Sequence, residues 1–198
     1  VRELANRSGA AVVFVDYSRA PEAQFPTQIE EAWAATRWIA DHGDSLGLDP
    51  SRLAVAGDSA GGNMATVVAL LAKERGGPEL ACQILFYPVT DARFDTGSYR
   101  EFADDVWLGR REMEWYWDAS LPDASRRADP HASPLRASDD QLRELPPALI
   151  VVAENDVLRD EGEAYARRLA EVGVPVEAVR VLGTMHDFVL IDRLQSAP

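Results

Sequence analysis

Three residues of this chain have the types and positions needed to cleave an acyl bond. Gly57-Asp58-Ser59-Ala60-Gly61 fits the pattern G-x-S-x-G. In that pattern a serine caps a sharp turn from a strand into a helix and exposes its hydroxyl. A serine hydroxyl is a weak nucleophile at neutral pH and needs a base. The chain has three histidines. His42 falls at a predicted helix end, beside Asp41 and Gly43, where a solvent-facing imidazole suits the helix dipole. His131 falls in a turn, Asp129-Pro130-His131. His186, in Gly183-Thr184-Met185-His186-Asp187-Phe188, directly follows a predicted strand, which puts it on the same rim as Ser59. The base must in turn be held in one tautomer by an acid. Asp156 follows another predicted strand and fits that role. Asp160 lies three residues before Glu163 and suits a helix cap. Asp187 adjoins His186, and consecutive side chains rarely face each other. The backbone N–H of Ala60, at the start of the predicted helix, would help hold a developing oxyanion.

These residues need a frame that brings strand ends together. Ala11–Val15 is a continuous apolar run, read as a strand buried on both faces. Further strands are predicted at 53–56, 82–87, 148–153 and 174–182. Helices are predicted between them. Thr27 and Glu30 match a capping box that opens the helix carrying Ile29, Trp33 and Ile39. A second helix runs from Ala60 to about Arg75, ended by Gly76-Gly77-Pro78. A third begins near Asp160 and ends at Gly173. Small residues at Gly57 and Gly61 are expected to permit the turn at Ser59, with Gly62 extending the small surface where helix meets sheet. Strand–helix–strand repetition specifies an α/β fold with a mostly parallel, doubly wound sheet. One catalytic domain, 1–198, is expected, with residues 91–145 inserted over the carboxyl ends of the strands, where open parallel sheets bind ligands. Glu177 and Arg180 interrupt the last strand, as expected nearer a sheet edge.

Composition narrows the function further. With 33 acidic and 20 basic side chains the formal net charge is −13, so nucleic acid and anionic membrane surfaces are poor partners. No apolar run approaches the roughly 20 residues that cross a bilayer. A lone Cys82 cannot form an internal disulfide, which fits a reducing compartment, and a cytoplasmic location is expected. No His/Cys spacing suits zinc and no Gly-rich loop suits a phosphate, so no cofactor and no metal are expected.

The order Ser59, Asp156, His186 is the one found in α/β-hydrolases, unlike that of chymotrypsin-like or subtilisin-like chains. Several spaced segments are similar to the hormone-sensitive-lipase-like esterases, the bacterial class IV group of that fold. They are Gly57-Asp58-Ser59-Ala60-Gly61-Gly62, Asp156-Val157-Leu158-Arg159-Asp160-Glu161-Gly162 and His186-Asp187-Phe188. Asp16-Tyr17-Ser18-Arg19-Ala20-Pro21-Glu22, followed by Phe25-Pro26, resembles the group's D-Y-R-L-A-P-E…F-P segment, with Ser18-Arg19 where Arg-Leu is usual. The resemblance implies a serine carboxylic-ester hydrolase for short- to medium-chain esters. It makes 91–145 the second half of a cap and places Trp107, Leu108 and Leu158 against the substrate. It implies cis peptides at Ala20-Pro21 and Phe25-Pro26. The group's H-G-G-G oxyanion segment has no counterpart in this sequence, and neither do the amino-terminal half of the cap and the carboxyl-terminal helix, so an excerpt of a longer protein is expected. Two rivals share the fold: a ligand-capturing receptor, against which His186 argues, and a prolyl-oligopeptidase-type peptidase, against which the Gly-rich elbow argues. The strand at 174–182 is the expected contact of a homodimer.

Overall fold

The computed structural model describes residues 1–104 and 107–191. Four strands form one parallel sheet in the order β1 (Ala54–Asp58), β2 (Cys82–Phe86), β3 (Ala148–Asn155) and β4 (Val176–Met185). The helices are α1 (Arg2–Ser8), α2 (Thr27–His42), α3 (Ala60–Glu74), α4 (Gly97–Glu101), α5 (Arg110–Ser120), α6 (Asp139–Leu142) and α7 (Arg159–Glu171). Parallel neighbours need crossovers, and α3 and α7 lie within two of the three connections. Among the described residues no helix is long and apolar enough to cross a membrane.

The main core lies between the sheet and α2, α3 and α7. Val55, Leu85, Ile150 and Val152 point into it, against Ile29 and Trp33 of α2, Val67, Leu70 and Leu71 of α3, and Tyr165 and Leu169 of α7. The alternate residues Ile84, Phe86, Leu149 and Val151 are only half-buried. Runs that read as apolar throughout are thus covered unequally. The three longest helices share a single core, so among the described residues the double winding is visible on one face.

Two expectations need correction. Residues 11–15 form no strand, and Val13 and Phe14 are exposed. Apolar composition favours a strand, but a strand exists only where a neighbour accepts its hydrogen bonds. Among the described residues none pairs with this segment. Thr27 does not cap α2 either. Pro26 holds the cap position, and Thr27 is already helical. The Glu30 carboxylate instead accepts two hydrogen bonds from Arg75, at 2.9 and 2.6 Å, whose guanidinium also stacks over Trp33.

The segment 91–145 divides in two. Its first part carries α4 and α5. Tyr99, Leu108, Met113, Trp117 and Leu121 form a second core with Val89, Val157 and Leu158, which follow the carboxyl ends of β2 and β3. Its last part returns to the main core through Ala137, Leu142 and Leu145. There Lys73 Nζ donates to the carbonyls of Asp140 and Arg143. Ala20-Pro21 and Phe25-Pro26 are cis, as is Gly77-Pro78.

Candidate active site

The parallel register delivers the site residues to one rim. Asp58 is paired with Phe86 at the ends of β1 and β2, and Asn155 is paired with Met185 at the ends of β3 and β4. Ser59, Asp156 and His186 are each the next residue along.

Ser59 has φ 52 and ψ −118, a conformation that side chains rarely adopt. Its N–H donates to the Phe86 carbonyl, and its own carbonyl accepts from Val89, so the turn is pinned from both sides. The chain can close this tightly because of Gly57, where a Cβ would lie 2.1 Å from the Gly61 carbonyl oxygen. A Cβ at Gly62 would meet Pro88 Cβ at 2.9 Å, whereas at Gly61 nothing lies within 4 Å. The steric demand therefore falls on Gly57 and Gly62, and the expectation for Gly61 is corrected. α3 starts at Ala60. Its N–H is among the first four of the helix, which have no intrahelical acceptor, and it sits at the positive end of the dipole. Asn63, on the next turn, donates to the Val89 and Ala132 carbonyls and ties the elbow to the segment above it.

The polar chain is continuous. His186 Nε2 lies 2.9 Å from Ser59 Oγ, and His186 Nδ1 lies 2.7 Å from Asp156 Oδ2. Asp156 Oδ1 accepts the Leu158 N–H at 2.9 Å. Asp156 and His186 are buried, at 1% and 4% exposure, so their attraction is little screened by water. Burial alone would push the imidazole down. The charge of Asp156 and its hydrogen bond, with Asp187 and Asp58 adding to them, outweigh burial and hold His186 above its ordinary value. The Tyr87 ring, itself at φ 35, packs 4.6 Å from the imidazole and limits its rotation.

Other candidates lie elsewhere. His42 stacks on Trp38, and His131 pairs with Glu74. Asp160 does not cap α7. It sits inside the first turn of α7, and its carboxylate takes the Ser98 N–H at 2.7 Å and Arg159 Nε at 3.0 Å. Leu108 and Leu158 are buried in the second core, at 7% and 0% exposure. They offer a ligand little surface and serve as packing behind the rim. Trp107 is exposed, and its indole N–H donates to Asp187 Oδ2 at 3.1 Å. Two residues of this neighbourhood escaped sequence reasoning. Tyr87 reads as the last residue of a strand. Glu161 reads as a first-turn acid, yet it is buried and holds the Thr90 and Asp91 N–H groups at 2.7 and 3.1 Å. Among the described residues no group of three or more His, Cys, Asp or Glu side chains is placed to hold a metal ion.

The sequence and the fold have known counterparts. A family model described as alpha/beta hydrolase fold matches residues 1–190. Esterase LipI of Mycobacterium tuberculosis is 44% identical over 190 residues, covering 95% of this chain and 58% of the relative. Ethyl acetate hydrolase of Pseudomonas putida is 39% identical over 186 residues, covering 93% of this chain and 58% of the relative. The crystal structure of a thermostable esterase from Pseudomonas putida superposes with a TM-score of 0.96 at 55% identity, over 100% of this chain and 62% of that one. The chain thus spans about three fifths of the length of these proteins. By the family match, the sequence identities and the superposition, it belongs to the alpha/beta hydrolase fold family, among the hormone-sensitive-lipase-like esterases.

Proposed function

We propose that the protein hydrolyses carboxylic esters of short to medium chain length through a serine acyl-enzyme. The observation that carries this reading is the unbroken hydrogen-bonded path from Ser59 Oγ through His186 to Asp156. As Ser59 Oγ bonds to the ester carbonyl carbon, His186 Nε2 takes the hydroxyl proton. The Ala60 N–H stabilises the oxyanion. When the C–O bond to the alcohol breaks, His186 returns that proton to the departing oxygen. Water then attacks the acyl-enzyme, gives a proton to His186, and Ser59 leaves with that proton as the free acid is released. Asp156 holds the ring in one tautomer and stabilises the imidazolium at each stage. No cofactor takes part in this sequence of steps. The part of residues 91–145 that carries α4 and α5, with Trp107, acts as a cap above the rim.

The test is covalent labelling of the full-length protein with a fluorophosphonate, read by mass spectrometry. An adduct on Ser59 is expected, with loss of activity against 4-nitrophenyl butyrate. An adduct elsewhere, or none in a folded sample, overturns the reading.

Self-association through β4 belongs to the same proposal. Among the described residues β4 is an outer strand, and Val179 and Leu182 are exposed at 38% and 71%. A second copy could satisfy its free backbone groups by antiparallel pairing. Light scattering should give a dimer mass that falls to the monomer when Val179 and Val181 are replaced by charged residues. A monomer in the unaltered protein at micromolar concentration rejects the contact. A cytoplasmic location accords with the unpaired Cys82, and cell fractionation tests it.

A further inference from the structure

Asp187 stands beside the reacting atoms, yet no step of the proposed hydrolysis uses it. Its Oδ1 lies 3.6 Å from His186 Nε2, the nitrogen that faces Ser59. Asp156 occupies the other ring nitrogen. The backbone of Asp187 has φ 67, in the left-handed region. Its second oxygen, Oδ2, accepts the Trp107 indole N–H at 3.1 Å. One oxygen is thus tied to the segment above the sheet and the other is turned to the base. The side chain is one-quarter exposed, so its charge reaches the cleft that a substrate must enter.

On the reading that this site cleaves carboxylic esters, we propose that Asp187, held in place by Trp107, selects substrates by charge: the site accepts esters with neutral or cationic acyl groups and rejects those whose acyl group carries a carboxylate. The ester carbonyl carbon must reach Ser59 Oγ, which is 2.9 Å from His186 Nε2. A negative group two or three bonds along the acyl chain then comes within about 5–7 Å of the Asp187 carboxylate. Like charges at that separation, in a cleft of intermediate dielectric, cost roughly tenfold in kcat/KM. Asp58, at the elbow, adds negative charge on the same side and is itself held above its ordinary value, first by burial and then by Asp187. The same field acts on the product. Hydrolysis turns a neutral acyl group into a carboxylate beside Asp187, and the repulsion favours its release.

The experiment compares two esters of similar size on the full-length protein, neutral 4-nitrophenyl butyrate and anionic 4-nitrophenyl hemisuccinate. The unaltered protein should prefer the neutral ester at low ionic strength. Asp187→Asn keeps an acceptor for Trp107 and removes the charge, so it should narrow the neutral-to-anionic ratio of kcat/KM by about tenfold. Trp107→Phe frees the carboxylate to turn towards water and should narrow it by less. Raising salt to about 0.5 M should narrow the ratio more in the unaltered protein than in Asp187→Asn, where Asp58 remains. Asp187→Ser takes the place of Asp187→Asn if that variant fails to fold. A ratio unmoved by either substitution and by salt, with neutral-ester hydrolysis intact, overturns the charge selection alone. Absence of neutral-ester hydrolysis in the unaltered protein overturns the esterase reading, and this proposal with it.

Discussion

Asp156 and Glu161 follow the same strand, lie five residues apart, and are each 1% exposed. Their partners separate them. Asp156 faces an imidazole, a group that can gain a proton and become a cation. Glu161 faces two backbone N–H groups, Thr90 and Asp91, whose charge distribution never changes. Thr90 completes the clasp by donating its hydroxyl to the Glu161 carbonyl at 3.0 Å. Burial pushes the Glu161 carboxyl up to about 8; the two N–H donors oppose that rise and the nearby Asp91 and Asp156 add to it. A buried carboxylate supports catalysis when its partner changes charge during the reaction. With a fixed partner it is a brace, here joining the loop after β2 to the start of α7.

The largest expected effect falls on Asp156. Asp156→Asn should lower kcat by about 10⁴-fold, because the amide favours the wrong imidazole tautomer, while the melting temperature moves by only a few degrees. A loss under tenfold would mean that the two carboxylates do not differ as argued. Glu161→Ala should do the reverse. It leaves two buried N–H donors without an acceptor and opens a cavity, so it should cost roughly 2–4 kcal/mol in denaturant unfolding. Variant still folded at the assay temperature should keep kcat within about tenfold.

Two pH measurements sharpen the contrast. Only neutral His186 can accept the Ser59 proton, so activity should rise as the imidazolium is lost. Because His186 is held above its ordinary 6.5, the half-activity point of kcat/KM should lie above that value. A midpoint below it would show that burial outweighs the carboxylates. The smallest effect is expected from Glu161→Gln. The Glu161 value rises from 4.5 in the unfolded chain to about 8 in the folded one. Its contribution to stability is therefore full below about pH 4.5 and is lost as pH rises through about 8. Melting temperatures over that window should fall less steeply in Glu161→Gln than in the unaltered protein. Parallel slopes would show that Glu161 is charged in the fold.

The site was more legible than the scaffold around it. Ser59, Asp156 and His186 each stand three or four residues past a predicted strand. In a parallel sheet that position alone specifies a shared rim, so local pattern carries long-range information. The 11–15 segment shows the opposite case. Its apolar residues state a preference for extended backbone, but whether a neighbour pairs with it is not a property of those residues. Glu161 was unreadable for a related reason: its partners lie about 70 positions away and are backbone atoms, which every residue type offers alike. Thr27 and Glu30 matched a capping box that does not form, since Pro26 holds the cap position and Glu30 is bonded to Arg75. Trp107 was placed against the substrate by resemblance, whereas its indole N–H is joined to Asp187, a bond that no pattern in either segment announces.

The register break between β3 and β4 has a consequence for how this family can change in length. From the Ala153–Val181 pair to the Asn155–Met185 pair, β3 advances two residues while β4 advances four. That slack brings His186 level with Asp156. A deletion within Gly183-Thr184 would leave most of the ladder intact and still carry the imidazole past its partner. The turn at Gly76–Glu79, on the opposite rim, has no such duty, and insertions there would leave the spacing of all three site residues unaltered. Tolerance of insertions and deletions should therefore be polarised along the sheet, lowest at one two-residue irregularity in its outer strand.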